Sequence, residues 1–269
     1  MIGVSTAHDT QAAGANRRLP VIVMDFSGVY GLERFAHQPS IVRLDCTHLN
    51  GTDCYCDAQG AAAIRRIIAP FSPDGIHFID NGNHHYVTKF WTEKIREPFN
   101  LIVFDHHSDA QPPTWGPSVL SCGGWIANEV SENRLLRRVL VIGPSERSIA
   151  AVPNNLKHRI RFFNETILDA HPDWVTFAEE HISGPVYISI DKDILSRQSV
   201  QTNWDQGHVP LATLQSHLRN ILEHECVIGV DVCGECPVLL DIAEEQVEAA
   251  TNDTVNERLL RLLSDDSVS

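Results

Sequence analysis

The stretch NLIVFDHHSDAQ (residues 100–111) sets four apolar side chains in a row, Leu101 to Phe104, and then turns to acid and imidazole with Asp105, His106, His107 and Asp109. The apolar half has strand length and reads as a strand buried on both faces, as in a parallel sheet. The polar half would then lie at the strand's carboxyl end, where open α/β sheets bind their ligands. A solvated turn needs no two histidines flanked by carboxylates, whereas a metal site uses such donors.

Seven further runs share this character: VIVMDF (21–26), SIVRLD (40–45), GIHFID (75–80), RVLVIG (138–143), RIRFFN (159–164), VYISID (186–191) and CVIGVD (226–231). Helical spacing of apolar residues fills 58–69, 85–95, 125–138, 174–182, 211–225 and 240–263. Strand and helix alternate to the end, which predicts a single doubly wound α/β domain over 19–269: three α/β/α layers around a mostly parallel sheet of about eight strands. Residues 1–18 read as a flexible tail. The segment 194–210 has no clear period and reads as a long loop, of the kind that is often functional.

The formal net charge of -14 argues against a nucleic-acid or anionic-membrane surface, because phosphates reward clustered Lys and Arg. No apolar run approaches the roughly 20 residues that span a bilayer. The N-terminus lacks the apolar core of about 7–15 residues that a signal peptide needs, so a cytoplasmic protein is expected. Seven cysteines form an odd set in a chain read this way, and reduced thiols are expected. CGEC (233–236) has redox or zinc spacing, but no second C-x-x-C pair completes a Cys₄ site.

Among the strand runs that end in acid are those closing at Asp80, Asp105, Asp191 and Asp231. Taken alone, Asp80 or Asp231 is as well read as a helix cap or turn residue. The clusters are different. If strand geometry persists past Phe104, Asp105, His107 and Asp109 share one face, opposite His106 and Ser108. In SIDKDIL (189–195), Asp191 and Asp193 share a face and Lys192 points away. NGNHH (81–85) adds histidine at a third strand end. Burying so many acids without cations is prohibitively costly. Two divalent ions would neutralise them, and mixed Asp/His ligation without thiolate suits Mn²⁺. Paired ions about 3.5–4 Å apart activate a water between them.

DHHSD resembles the D-x-H-x-D motif of the arginase/agmatinase (ureohydrolase) superfamily. SIDKDIL resembles its S-x-D-x-D element, and NGNHH its G-G-D-H-S, with Asn81, Asn83 and His85 replacing Gly, Asp and Ser. The three occur in family order across about residues 75–240. The resemblance implies an arginase-like fold and a dinuclear Mn²⁺ centre. His84, Asp105, Asp109 and Asp191 would hold one ion and Asp105, His107, Asp191 and Asp193 the other, with Asp105 and Asp191 bridging. His85 is then a substrate-facing residue, or the ligand if the register shifts by one. A metal-bridging hydroxide, oriented by Asp109, would attack a guanidine or amidine carbon.

The resemblance also implies a carboxylate for the substrate's guanidinium. Glu235, in GVDVCGECP (229–237), is the counterpart of the Glu in G-x-D-x-x-E-x-N-P, displaced by one position. The loop that carries a family histidine, here 112–126, has none; Cys122 and His208 are the alternative proton donors. Trp204, Asp205 and Gln206 are expected to border the pocket and contact substrate. Departures such as SCGGW and DVCGECP resemble a divergent branch that includes peptide arginases. The expected partner is a small guanidine or a peptide substrate, with a homo-oligomer allowed. Two other readings are a deacetylase-like amidohydrolase with one Zn²⁺, and a metal-binding regulator without turnover.

Overall fold

In the computed structural model, which describes residues 19–112, 119–170, 174–236 and 242–265, all eight apolar runs become strands of one sheet. They are β1 (Val21–Asp25), β2 (Ile41–Asp45), β4 (Ile76–Phe78), β5 (Phe99–Phe104), β7 (Leu136–Gly143), β8 (Ile160–Asn164), β9 (Val186–Asp191) and β10 (Val227–Cys233). Their spatial order is β2-β1-β4-β10-β9-β5-β7-β8, and every pairing is parallel. A two-residue pair, β3 (Tyr55–Cys56) with β6 (Leu120–Ser121), forms a separate antiparallel ribbon. It is too short to leave a periodic trace in the sequence.

The helices are α1 (Ala58–Ile68), α2 (Val87–Thr92), α3 (Trp125–Glu132), α4 (Glu146–Ala150), α5 (Thr166–Asp169), α6 (Trp174–His181), α7 (Leu211–His224) and α8 (Ile242–Asp265). Alternation along each strand divides the apolar residues between two cores. Val21, Val23, Ile102, Phe104, Ile188 and Ile190 pack with α5 to α8. Ile22, Met24, Leu101, Val103 and Tyr187 pack with α1 to α3. This is the three-layer arrangement. Among the described residues no helix is long and apolar enough to cross a membrane.

The helix expected over 125–138 ends at Glu132. The Asn133 side chain accepts from the Leu135 N–H (3.0 Å) and donates to Glu129 Oε1 (2.7 Å), which turns the chain into β7. Asp231 also departs from expectation. It lies inside β10, where its carboxylate accepts from the Tyr187 hydroxyl and pairs with His77 Nδ1, each at 2.7 Å. Both partners are fully buried, so this acid belongs to the core. Asp80 caps backbone, accepting from the N–H groups of Phe26 and Ser27 at 2.7 Å.

β1 runs outward to β2, returns to β4, and then jumps to β5, leaving the gap that β10 and β9 later fill. The carboxyl ends of β4, β9 and β5 therefore converge near the sheet centre, at the place where strand order reverses.

Candidate functional site

Three strand ends supply the polar cluster. Past β5, Asp105, His107 and Asp109 all line one pocket with Asp191 and Asp193 from the end of β9. They reach it through a turn, since Asp109 has φ 45°. Trp125 Nε1 fixes the Asp109 carboxylate by donating to Oδ2 at 2.7 Å. His106 leaves the cluster with its side chain and returns only its backbone N–H, which donates to Asp193 Oδ1 at 2.9 Å.

The third strand end presents His85, not His84. Asn81 caps a single 3₁₀ turn, Gly82–His84, by accepting from the Asn83 N–H at 3.0 Å. Such a turn separates successive side chains by about a third of a rotation. The ring of His84 therefore stacks on Phe26, with centroids 4.3 Å apart and planes at 14°. His85 Nδ1 sits 2.9 Å from Asp109 Oδ2, 3.2 Å from Asp105 Oδ2 and 3.6 Å from Asp191 Oδ2. Its Nε2 is held at 2.9 Å by Ser189 Oγ, which also contacts Thr88 Oγ1. His85, the alternative should the register shift by one, is thus the histidine of this segment that the fold brings into the donor cluster, and His84 is not. His85→Gln is expected to weaken divalent-metal uptake by more than about 10-fold, and His84→Gln to leave it near wild type. Calorimetric titration of both variants checks this.

Two sets of donors share Asp105. One is His85, Asp105 and Asp109; the other is Asp105, His107 and Asp193, each with its donor atoms within 4.8 Å of one another. His107 Nδ1 lies 2.7 Å from Asp193 Oδ2 and 3.5 Å from Asp105 Oδ1. Its Nε2 contacts Asp205 Oδ1 at 3.0 Å. Carboxylate orientation of the distal ring nitrogen is how metal-binding histidines are usually aimed. Asp191 adjoins the first set together with Cys233, whose thiol donates to Asp191 Oδ2 at 3.2 Å.

Charge in this cluster is unbalanced. Burial, and then repulsion from Asp105, push the Asp109 carboxyl up to about 6. Burial, Asp191 and Asp105 hold the Asp193 carboxyl well above its ordinary range. Burial works against the His85 and His107 cations, but contacts with Asp105 and their other carboxylate neighbours outweigh it and raise both imidazoles. Protons thus take up the charge where divalent cations are the other means of doing so.

The rim holds Cys54, Tyr55, Gln111, Ser121, Cys122 and Trp204. Trp204 Nε1 donates to Asn83 Oδ1 at 2.9 Å, and Asn83 Nδ2 donates to Asp53 Oδ1 at 2.7 Å. Gly82 packs beneath Trp204; a Cβ there would lie 2.8 Å from the Trp204 ring and 3.0 Å from Asp191 Oδ2. The Asp53, Cys54, Tyr55 and Ser121 contributions carry no motif, so the sequence gives no sign of them. Gln206 turns inward, its amide donating to the Leu195 and Val200 carbonyls at 3.1 Å, and staples the loop.

Two expected substrate or proton-donor residues lie elsewhere. The His208 side chain is 83% exposed, with its nearest acid, Glu165, at 3.8 Å. Glu235 is fully buried behind the site. Lys192, between the two site aspartates and first in the 3₁₀ turn Lys192–Ile194, points away from them and donates to Glu235 Oε1 and Asn252 Oδ1 at 2.6 Å and to Asn256 Oδ1 at 3.0 Å. Gly234, at φ 95°, takes the chain past Asp191 so closely that a Cβ would sit 2.4 Å from Oδ1. The extra residue in DVCGE thus rotates the acid from the pocket side to the Lys192 side.

Glu33 completes this buried group, accepting from Asn256 Nδ2 at 2.8 Å and sharing a hydrogen bond with Glu235. Burial, then the Glu235 charge, push its carboxyl up to about 10 from 4.5. The folded chain keeps a proton that the unfolded chain releases. The stability it contributes is complete below 4.5 and is lost as pH rises toward 10. Glu33→Gln mimics the protonated acid. Its unfolding free energy is expected to fall less steeply over that window than wild type, by up to about 1.4 kcal/mol per pH unit. Denaturant unfolding at several pH values checks it.

A family model described as the arginase family matches residues 77–259. The chain belongs to the arginase family. An uncharacterized protein of Thermotoga maritima is 33% identical over 168 residues, 60% of this chain and 58% of that protein's length. Formimidoylglutamase of Bacillus subtilis superposes with a TM-score of 0.65 at 15% identity, covering 94% of this chain and 90% of its own. Formiminoglutamase of Trypanosoma cruzi, solved with Mn²⁺, gives 0.64 at 9% identity, covering 93% and 96%. At these identities the superpositions establish the arginase-like fold.

The donor chemistry of the cluster fits divalent metal. His85 Nδ1 and Asp105 Oδ2 are buried and lie 3.2 Å apart, yet neither makes a hydrogen bond of good geometry. Buried polar atoms are rarely left so without a ligand to satisfy them.

Proposed function

We propose that the chain hydrolyses a linear C–N bond of a guanidine or amidine at a pair of divalent cations, with Mn²⁺ the expected ion. The observation that carries this reading is the sharing of Asp105 between the two donor sets. His85, Asp105, Asp109 and Asp191 would hold one ion, and Asp105, His107 and Asp193 the other. Such ions supply a water whose pKa is lowered to roughly 7 and polarise the group under attack.

The chain's own residues do the rest. Asp205 orients His107, and Ser189 orients His85. Trp125 fixes Asp109 at the pocket floor. Cys122, the proton-donor candidate that lines the pocket, keeps its proton because burial and then Asp109 push its thiol far up. We assign it the proton that the leaving amine takes up, a transfer that the raised thiol slows and the basicity of the departing nitrogen drives.

Substrate class follows from charge and size. The described lining contains four aspartates and no Lys or Arg. Those acids would be taken up by the two ions, and the guanidinium is received at the rim, where Trp204 is an aromatic lining residue. Among the described lining residues no Lys or Arg is present to receive the carboxylate of a free amino acid. The cavity, about 190 Å³, is below the roughly 300–1,000 Å³ of sites that enclose a whole ligand. Both features support a guanidinium head on an amine or a peptide, with the remainder outside.

The test is direct. Mn²⁺-loaded protein is incubated with agmatine, arginine and an arginine-containing peptide, and urea is assayed. Urea from agmatine or the peptide in preference to arginine is expected. One zinc ion per chain with amide hydrolysis would favour the deacetylase-like reading. Two bound ions with no product from any guanidine or amidine would favour a regulator without turnover.

A further inference from the structure

The two-stranded ribbon places two thiols side by side at the pocket mouth. β3 and β6 pair Tyr55 with Ser121 and Cys56 with Leu120, and Cys54 and Cys122 are the residues that flank this ribbon at one end. The Cys122 N–H donates to the Cys54 carbonyl at 2.9 Å, so the chain at Cys54, left-handed at φ 56°, and the start of the 3₁₀ turn at Cys122 are held side by side. The two side chains are within hydrogen-bond reach of each other, and both line the pocket. Neither is closed off from solvent, in contrast to Cys46, Cys56, Cys233 and Cys236, which are buried.

We propose that Cys54 and Cys122 form a reversible dithiol–disulfide site across the mouth of the pocket, oxidised by a small-molecule disulfide. The Cys54 thiol gives its proton to water and its sulfur attacks the reagent, releasing one thiolate and leaving a mixed disulfide. The Cys122 sulfur, losing its proton in turn, attacks Cys54 Sγ and expels the second thiolate. One reagent disulfide is reduced to two thiols as one protein disulfide forms. Cys54 attacks first because its thiol is the less strongly raised of the two; burial leads in both, and Asp109 adds to it at Cys122.

The ribbon connects to both sides of the site. Asp53, next to Cys54, binds Asn83, which binds Trp204. Cys122 leads through Gly123 and Gly124 into Trp125, which holds Asp109, and the Gly123 carbonyl accepts from the Gln111 N–H at 2.9 Å. A bond between Cys54 and Cys122 therefore ties the rim that carries Trp204 to the segment that positions Asp109. It also consumes the Cys122 proton. On the function proposed above, the oxidised form hydrolyses no guanidine until it is reduced.

The experiment equilibrates the full chain in glutathione buffers of increasing oxidised fraction, alkylates the remaining thiols and maps peptides by mass. A Cys54–Cys122 crosslink is expected, lost in C54S and C122S, retained in C226S, and reversed by reductant. In C122S a glutathione adduct should persist on Cys54. Separate adducts on Cys54 and Cys122 in wild type, or modification confined to Cys226, would overturn the site. A raised unfolding midpoint of oxidised wild type, absent in C54S, is the second measurement, and no shift would count against it. The mass readout needs no turnover. A crosslink in protein that hydrolyses no guanidine even when reduced would sink the function alone, and active protein without the crosslink would sink this inference alone.

Discussion

Asp105→Ala is expected to leave the protein unable to hold either divalent cation, whereas Asp193→Asn should lose only the ion on the His107 side. Asp105 is the one residue common to the two donor sets: Oδ1 faces His107 and Oδ2 faces His85. Losing a partner that merely orients a ligand costs about 10–100-fold in metal affinity. Removing a donor shared by two ions should exceed that for both, and hydrolysis should fall below detection. Titration calorimetry with Mn²⁺ gives the stoichiometry: two ions for wild type, one for Asp193→Asn and none for Asp105→Ala. Two ions in Asp105→Ala would remove the basis for a shared centre. Misfolding is separable, because Asn mimics the protonated acid that burial, Asp191 and Asp105 impose on Asp193. The metal-free Asp193→Asn protein should melt no lower than metal-free wild type.

The same charges fix a pH dependence. Asp109, raised to about 6 by burial and by Asp105, carries a proton in the folded metal-free chain that it would release when ionised in the unfolded one. The stability from that proton is present at low pH and lost as pH rises through about 6. Metal binding needs the carboxylate ionised, so uptake strengthens over the same rise. The stabilisation conferred by Mn²⁺ therefore grows with pH while the metal-free protein weakens.

The sheet was legible because a parallel strand buried on both faces must be apolar throughout, and all eight strands left that mark. The donors on β5 and β9 were legible for a related reason. Asp105 and Asp191 stand directly at their strand ends and the remaining acids follow within four residues, so their spacing grouped them even though a turn carries Asp109 and a 3₁₀ turn carries Lys192 and Asp193. Histidine register was not legible, because a 3₁₀ turn intervenes after β4 and its phase depends on the Asn81 cap. The placement of Glu235 failed for a similar reason: one residue at a left-handed glycine decides which side of the backbone the acid takes. Its partners Glu33, Asn252 and Asn256 come from distant parts of the chain and share no motif. The Cys54–Cys122 pairing depends on a ribbon of two residues per strand.

Lys192→Met is expected to destabilise the protein by about 3–5 kcal/mol, the cost of leaving a buried partner charge uncompensated. Lys192 and Glu235 are both inaccessible to water, and their 2.6 Å contact is the only ion pair either makes among the described residues. All three ammonium protons are used, one on Glu235 and one each on Asn252 and Asn256 of α8. Removing the cation leaves the Glu235 charge with two neutral donors, Asn256 Nδ2 and the proton that Glu33 holds, so the two acids share one proton. Their remaining escape is to take up a proton, so the penalty should shrink as pH falls. Denaturant unfolding at two pH values measures both features. Glu235→Gln should cost less than Lys192→Met, because an isolated ammonium can still bind two asparagine carbonyls and the new amide oxygen. The comparison also decides what Glu235 is for. A group that gripped the substrate's guanidinium would raise KM at unchanged stability. A group that pins Lys192, and with it the turn carrying Asp191 and Asp193, should lower stability and metal affinity together, whichever guanidine is offered.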